Sequence, residues 1–360
     1  MSDRETVLAE AAAAASGWDR SGLPRSAATA LARAGLLGMD RSQRYGGQDA
    51  DAFQLGTAAS ELGAVCTSLR SLLTVQGMVA ATVDRWGNAA QRANWLPALT
   101  SGELIAGLAA TEAEAGSDLS GMRTHFGPTT VTGHKLWVTF GALADVLLVA
   151  GQSESGPVAA LVPVDQPGVQ IEPVTDQLGM RGARLAHVRF DEAHVPAENV
   201  LARAGFGLTH VIGTALDHGR YTIAWGCAGM ARACLDDAAA HARDRVQGAT
   251  RLGDHQAVRA MLGRGWIEVE SARALCDRAA ALRADRDPGA LVGTIAAKYA
   301  AAAAAGSMSE RAVQILGAAG CAPDSRAGRF FRDAKIMQII EGAREVAELD
   351  LGDFVLRTGR

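Results

Sequence analysis

The hydrophobic pattern of the chain changes twice, and this order limits the fold more than any other feature. From Glu5 to about Gly102, apolar residues recur at helical spacing. After Gly102 the sequence breaks into short β-type runs separated by Gly, Pro and Asp, and beyond about Gly205 the helical pattern returns and persists to the end. Helices, then strands, then helices predict an α+β fold and not the alternating units of a doubly wound sheet.

The length of the chain predicts more than one domain. Because 360 residues suit two or three cooperating domains, we expect an N-terminal helical domain over residues 1–103, a central β domain over residues 104–205 and a C-terminal helical domain over residues 206–360. No apolar run approaches the roughly 18 residues of a membrane span, and acidic residues interrupt the start of the chain, which is unlike a signal peptide. We therefore expect a cytoplasmic protein with no membrane partner.

The composition argues against several classes of function. A formal net charge of -4 argues against a nucleic-acid-binding surface. The five cysteines are scattered, without the close pairs of a zinc or redox site, and predict small buried side chains and no metal. The chain also contains no G-x-G-x-x-G and no G-x-x-x-x-G-K-[ST], so any nucleotide cofactor must be held in another way.

One carboxylate near the end of the chain is a candidate catalytic base. Glu341 follows Ile339 and Ile340 and precedes Gly342. A carboxylate in apolar surroundings has a raised pKa and can take a proton from a weakly acidic carbon, and a glycine lets backbone or ligand approach closely. The same residues also fit the solvated side of an amphipathic helix that has Gly342 as its C-cap.

Two stretches of the β region could bind a planar, oxygen-rich ligand. Residues 111–118 combine hydroxyls, small residues and a glycine, which suits a loop that offers N–H and O–H donors, although an ordinary loop has the same composition. In the second stretch, residues 133–139, Trp137 and Thr139 fall on the same side of an extended segment because strand side chains alternate. One could stack on a ring while the other binds its edge. A half-buried strand with Trp137 in the core fits the pattern equally well.

Taken together and in this order, these stretches resemble the signatures of the FAD-dependent acyl-CoA dehydrogenase family. The family's T-E-x-x-A-G-S-D matches residues 111–118, and its G-x-K-x-W-[IV]-T matches residues 133–139. Further matches follow in register at Leu178–Gly182, Phe190-Asp191, Val195-Pro196, Gly219-Arg220, Arg245, Gln256, Gln314–Gly317, Arg332–Ala334 and Glu341-Gly342. By the number of ordered matches, the chain is identified as a member of the family.

The resemblance implies a fold and a cofactor. We expect an N-terminal helical domain, a central β-barrel-like domain and a C-terminal four-helix bundle, with FAD between the last two. Thr111 and Thr139 would hydrogen-bond the flavin, Trp137 would pack on it, and Ser117 would help to hold the phosphates or the acyl chain.

The resemblance also implies an oligomer and a mechanism. Arg245 and Gln314 would reach the FAD of a neighbouring subunit, so a homodimer or a tetramer is expected. Glu341 would remove the α-proton of an acyl thioester while hydride passes to flavin N5. Arg220 and Gly342 would lie at the substrate. Some members carry the base just before the arginine that matches Arg220, but here that position is Gly219, which cannot serve.

A narrower resemblance concerns the substrate. The segments Cys66–Ser71, Gln76–Met78, Ala224–Cys227 and Ile339–Gly342 are similar to the dehydrogenases that make hydroxymalonyl-type extender units for polyketide synthases, which act on acyl carrier proteins. Such a substrate is small and oxygenated, and Arg70 or Arg220 could face its carboxylate or hydroxyl. Arg70 could equally lie on a solvated helix face, and the family role of Arg220 is largely structural.

Three departures from the family pattern keep other functions open. Gly248-Ala249 replaces an expected Phe-Gly, Ala318 replaces a glycine, and Ala343 replaces a hydroxyl residue near the cofactor. An ordinary short-chain acyl-CoA dehydrogenase, a flavin oxidase or monooxygenase on the same fold, and a degenerate, non-catalytic paralogue are the alternatives. The resemblance specifies neither the electron acceptor nor the exact acyl group.

Overall fold

The N-terminal segment of the protein is helical, as the periodicity predicts. A computed structural model describes residues 2–359. Its first five helices are α1 (Asp3–Ser21), α2 (Ser26–Arg33), α3 (Ala52–Val65), α4 (Thr67–Trp86) and α5 (Ala89–Thr100). Capping boxes begin α1, α3 and α5, where the side chains of Ser2, Asp51 and Asn88 each accept a hydrogen bond from the third helical residue. Helix α4 is buried along almost its whole length, which makes it the central helix of this segment.

The middle of the chain forms one eight-stranded sheet. Its strands are β1 (Ala106–Ala109), β2 (His125–Phe126), β3 (Thr130–Val138), β4 (Val146–Ser153), β5 (Gly156–Pro163), β6 (Val169–Pro173), β7 (Ala186–His194) and β8 (Val200–Leu201). The sheet runs β6-β7-β3-β2-β4-β5-β8, with β1 parallel to β4. Among the described residues β6 pairs only with β7 and β8 only with β5. The β-barrel-like domain that we expected is therefore an open sheet and not a closed barrel.

The last part of the chain is helical again. It comprises α6 (Gly213–Asp244), a short hairpin of β9 (Val246–Gln247) and β10 (Thr250–Arg251), α7 (Gln256–Ala284), α8 (Ala290–Leu316), α9 (Arg326–Met337) and α10 (Arg344–Thr358). Helices α6, α7, α8 and α9 pack together, and α10 lies against α8. Alanines fill half of the buried positions of α8, which lets neighbouring backbones approach closely.

The two helical segments share one hydrophobic core, which the sequence did not predict. Helices α3 and α4 pack directly on α6. Glycines allow the approach of α3 to α6, since a Cβ at Gly63 would lie 2.2 Å from the Gly226 carbonyl oxygen and one at Gly229 would lie 2.0 Å from that of Ser60. Helix α6 also packs against α4, and the seam between α4 and α6 forms one wall of the candidate site.

Most of the cysteines lie in the interior of the protein. Four of the cysteines are buried, as predicted, but Cys321 is exposed. No group of metal-ligating side chains was found among residues 2–359. Within the same residues, no helix is long and apolar enough to cross a membrane.

Candidate active site

Glu341 lies in the turn between α9 and α10 and not on a helix. Helix α9 ends at Met337, and Gln338 is its C-cap. Glu341 and Gly342 then take two successive left-handed backbone conformations, with φ of 54° and 101°. The alternative in which Gly342 caps a helix that carries Glu341 is therefore wrong. A non-glycine residue with positive φ is strained and persists only where its surroundings hold it.

Two cations, the half-buried Arg220 and the buried Lys298, hold this strained turn. The Arg220 Nε atom donates to the Glu341 carbonyl oxygen at 2.8 Å, and the Lys298 Nζ atom donates to the Gly342 carbonyl oxygen at 2.7 Å. Lys298 is buried in α8, and Arg220 comes from α6. Because both carbonyls are fixed, the Glu341 side chain is directed toward the seam between α4 and α6.

The carboxyl of Glu341 is enclosed by this seam. A Cβ at Gly219 would lie 3.4 Å from the Glu341 Cδ atom and 3.0 Å from the Met78 Sδ atom. The Oε2 atom of Glu341 is buried without a hydrogen-bond partner among the described residues. Burial raises the pKa of Glu341 to about 7, although the nearby charges of Arg220, Lys298 and Arg70 oppose the rise. A carboxyl with this pKa can accept a proton near neutral pH.

Polar residues continue along the seam beyond Glu341. One turn further along α6, Thr222 Oγ1 lies 3.0 Å from Thr74 Oγ1 of α4. The Arg70 guanidinium donates to Thr74 Oγ1 at 2.9 Å and to the Met337 Sδ atom at 2.8 Å, and the Arg70 side chain is 1% exposed. The interpretation of Arg70 as a solvated surface residue is therefore wrong.

Arg70 has no carboxylate in direct contact among the described residues, although the charges of Asp333 and Glu341 act on it from a distance. It forms no salt bridge among residues 2–359, and its two acceptors leave most of the guanidinium N–H groups free. A buried cation is normally paired because its desolvation is costly. This arginine is therefore a candidate partner for an oxygen that the chain itself does not supply.

The Trp137 side chain points out of the sheet toward solvent, so the alternative that places it in the core is wrong. Its backbone has φ of 57°, at a register shift between Lys135 and Val138 in the pairing of β3 with β7. Its side chain is 53% exposed, whereas Thr139 is half-buried. The expected extended segment is thus interrupted, so simple alternation does not relate Trp137 to Thr139. The Trp137 ring is nevertheless available for stacking.

A histidine that the sequence analysis missed supports this tryptophan. The Trp137 backbone N–H donates to His187 Nδ1 at 3.2 Å, and the two rings meet edge to face with centroids 5.0 Å apart. The Leu136 N–H donates to the Thr111 carbonyl oxygen at 2.8 Å, which joins the 111–118 loop to β3. Thr111 is half-buried and Ser117 is exposed on that loop.

A buried ion pair anchors the 111–118 loop. Lys135 is completely buried, and its Nζ donates to Glu112 Oε1 at 2.7 Å and to the Ala110 carbonyl oxygen at 3.1 Å. The backbone N–H groups of Arg123 and Thr124 also donate to the Glu112 carboxylate, at 2.6 and 3.0 Å. Burial alone would raise the pKa of Glu112, but these hydrogen bonds lower it to about 2. Glu112 and Lys135 belong to the two motif stretches described above, but their positions in the sequence did not predict that they pair.

Removing the lysine of this pair is expected to destabilise the protein. In Lys135→Met the Glu112 carboxylate loses its cation while it stays largely buried, which should lower the free energy of unfolding by about 3 kcal/mol. Urea unfolding should show a lower midpoint with an unchanged slope. Lys335→Met is the matched control, because Lys335 is exposed and its loss should change the free energy by less than about 0.5 kcal/mol. Equal midpoints for the two variants would contradict the anchoring role of Lys135.

Arg245 and Gln314 do not join this site within one chain. Arg245 follows the end of α6, roughly 38 Å along the helix axis from Gly219 at 1.5 Å per residue. Gln314 lies about 24 Å beyond Lys298 along α8 by the same measure. Both side chains are exposed.

A cavity of about 740 Å³ opens beside the turn, between α7, α8 and α9. Its lining includes Leu178, Phe331 and Gln338 but not Glu341. Leu178 and Phe331 are 55% and 50% exposed, and Ile339, in the turn that bears Glu341, is 55% exposed. Apolar surface thus surrounds the outer side of the turn that carries the candidate base.

Residues in two parts of the structure fit a flavin cofactor. An exposed Trp137 ring faces outward beside the hydroxyl residues Thr111 and Thr139, and an orphaned carboxylate oxygen belongs to Glu341. At Gly248, where the resemblance predicts an aromatic nearby, the glycine stands in open space. These residues therefore fit the flavin ring, whereas the aromatic side chain that the resemblance leads us to expect at position 248 is absent.

Comparisons with known proteins cover most of the chain. Three family models match in order: the acyl-CoA dehydrogenase N-terminal domain over residues 2–103, the middle domain over 107–193 and the C-terminal domain over 205–356. The mitochondrial short-chain specific acyl-CoA dehydrogenase of Mus musculus is 31% identical over 347 residues, which are 94% of this chain and 84% of that protein.

Solved structures of similar proteins agree with the sequence matches. FkbI, described as serving the biosynthesis of the methoxymalonyl extender unit of the FK520 polyketide, is 38% identical with a TM-score of 0.92, over 99% of each chain. Butyryl-CoA dehydrogenase from Megasphaera elsdenii is 27% identical with a TM-score of 0.92, also over 99% of each chain.

Proposed function

The chain belongs to the acyl-CoA dehydrogenase family, whose members are FAD-dependent oxidoreductases of acyl thioesters, and we propose that it oxidises a small, oxygen-bearing acyl group on an acyl carrier protein for hydroxymalonyl-type extender-unit biosynthesis. The observation that carries the proposal is the enclosed Glu341 carboxyl, whose pKa burial raises to about 7. In this position Glu341 acts as the catalytic base.

The reaction begins at the α-carbon of the thioester. The thioester acidifies the α-C–H bond, and a Glu341 carboxylate oxygen takes the proton. The β-carbon loses hydride with both electrons of its C–H bond, so that a carbon–carbon double bond forms. FAD, when bound, supplies the two-electron acceptor. Thr111, Thr139 and Trp137 would hold the flavin, Ser117 would contact its phosphates or the acyl group, and the protein excludes water from Glu341.

The seam between α4 and α6 supports a short acyl group. Thr74 and Thr222 are hydrogen-bonded to each other across it, and Arg70 lies immediately beyond them. These residues put polar groups where a long alkyl chain would need an apolar lining. Such a site favours a small acyl group with its own oxygen atoms.

Arg70 and Arg220 differ in their availability to a substrate. Arg220 already donates to the Glu341 carbonyl oxygen, which supports a structural role beside the substrate. Among residues 2–359, Arg70 donates only to a hydroxyl and a thioether. We therefore assign recognition of a substrate hydroxyl or carboxylate to Arg70, while Gly342 permits close approach of the thioester.

The choice of carrier rests on similarity to a protein of extender-unit biosynthesis. FkbI shares more sequence identity with this chain than the short-chain acyl-CoA dehydrogenase does, and a methoxymalonyl unit is itself small and oxygenated. The second candidate is an ordinary short-chain acyl-CoA dehydrogenase, which the match to the mouse protein favours. The two candidates differ in the substrate that reduces the flavin.

We infer a homodimer or a tetramer in the cytoplasm as the active species. Arg245 and Gln314 are exposed and lie too far along their helices to serve the site of their own chain. Apolar side chains beside the turn, such as Leu178 and Ile339, are also exposed. A second copy of the chain would cover this surface and bring the two polar side chains to a neighbouring cofactor.

Anaerobic mixing of the purified yellow protein with two kinds of thioester tests the proposal. Glyceryl- or hydroxyacyl-carrier-protein should bleach the flavin, and butyryl-CoA should do so much more slowly, because it offers no oxygen to Arg70. Faster bleaching by butyryl-CoA would favour the ordinary dehydrogenase. Rapid reoxidation by oxygen would identify an oxidase, and a colourless protein that binds no added FAD would identify a non-catalytic paralogue.

A further inference from the structure

Lys298 is a buried lysine that the proposed chemistry does not use. It lies in the Ala-rich helix α8 with 3% exposure, and its Nζ donates to the Gly342 carbonyl oxygen at 2.7 Å. It forms no salt bridge within residues 2–359. The chain thus places a cation that forms no salt bridge among the described residues next to the turn that carries its candidate base.

We propose that Lys298 is a positioning residue that holds the left-handed Glu341–Gly342 turn and whose positive charge favours the ionised form of Glu341. The inference rests on the proposed role of Glu341 as the base. It adds a second residue, Lys298, that determines the pH at which Glu341 is ionised and able to accept a proton.

The positioning part follows from backbone geometry. Glu341 and Gly342 are both left-handed, with φ of 54° and 101°. Arg220 holds the first carbonyl of the pair and Lys298 holds the second. With only one carbonyl held, the turn could relax by rotation about the other peptide unit, and the Glu341 carboxyl would leave the seam.

The electrostatic part follows from the charges that face Glu341. Arg70 faces it from α4, Arg220 from α6 and Lys298 from α8, while Asp350 of α10 lines the same small cavity as Glu341 and Lys298. The buried thiol of Cys227 lies close to Lys298 and is neutral, because burial raises its pKa to about 11. Three cations and one outlying carboxylate therefore surround a single base.

The ionisation of Lys298 overlaps that of Glu341. Burial lowers the pKa of Lys298 to about 8, and burial raises the pKa of Glu341 to about 7. Each charge stabilises the other, so the pair titrates as a coupled unit. An uncharged residue at position 298 removes a positive charge near the carboxylate, and the pKa of Glu341 must then rise further.

The pH dependence of flavin bleaching tests the electrostatic part. In the natural protein the rate should rise with pH through a midpoint near 7, because Glu341 must be ionised to accept a proton. In Lys298→Gln and Lys298→Met the midpoint should move upward by about one pH unit or more. Lys298→Arg keeps the charge and should keep the midpoint, and Lys335→Gln is the exposed control.

A second readout is independent of turnover. The infrared band of the protonated Glu341 carboxyl, identified by its loss in Glu341→Gln, should persist to higher pH in Lys298→Gln than in the natural protein. If the natural protein and Lys298→Gln titrate at the same pH in both the bleaching rate and the infrared band, the inference is overturned. If Lys298→Met does not fold, the Gln and Arg variants decide the outcome. Bleaching that survives in Glu341→Gln would instead refute the base assignment itself.

Discussion

Replacing Glu341 by Gln is expected to slow anaerobic flavin bleaching by about 10²- to 10⁴-fold, the usual contribution of a general base. The amide has the shape of the carboxyl but cannot accept the α-proton. Because the carboxyl oxygen Oε2 has no hydrogen-bond partner among residues 2–359, the change should leave the fold intact. Stopped-flow absorbance measures the rate, and the visible spectrum verifies that FAD is still bound.

Glu345→Gln is the matched control for this experiment. Glu345 is exposed in the first turn of α10, four residues after Glu341. Its replacement should leave the rate unchanged. A Glu341→Gln protein that bleaches as fast as this control would show that another group removes the proton.

Replacing Arg70 by Leu is expected to lower kcat/KM for oxygen-bearing acyl groups by roughly 30-fold or more, since losing one partner of a buried charge-assisted hydrogen bond costs about 2–5 kcal/mol. The same change should leave kcat/KM for a butyryl thioester unchanged or raise it, because the seam becomes apolar. The ratio of the two kcat/KM values is the decisive measurement, since general damage to the protein cancels in it.

Two further variants test the role of Arg70. Arg70→Lys keeps the charge but loses the planar fork of donors, so it should fall between the natural protein and Arg70→Leu. Arg85→Leu changes an exposed arginine at the end of the same helix and should alter neither substrate. An equal loss for both thioesters in Arg70→Leu would mean that Arg70 supports the fold and does not recognise the acyl group.

The sequence predicted the helical, strand and helical segments because each periodicity reports directly on one secondary structure. The shared core of the two helical segments was not predictable, since it depends on close contacts such as Gly63 against Gly226. The sheet was also expected to be barrel-like, and nothing in the short β-type runs showed that β6 and β8 would remain unpaired with each other.

The candidate site was only partly predictable for a similar reason. The apolar run before Glu341 indicated a raised pKa, and the structure supplies burial as its cause. The left-handed backbone of Trp137 depends on a register shift that strand alternation does not reveal. The burial of Arg70 and Lys298 depends on which helix faces cover them, and each stands in a helix whose pattern fits an exposed charge equally well.

A kinetic isotope effect tests the central claim most directly. The claim is that Glu341 breaks the α-C–H bond of an acyl thioester. Deuterium at the α-carbon of the carrier-bound substrate should slow flavin bleaching in the natural protein, because that bond breaks as the flavin is reduced. An unchanged rate with α-deuterium, together with slowing by deuterium at the β-carbon, would show that hydride leaves the β-carbon without removal of the α-proton and that Glu341 is not an α-carbon base.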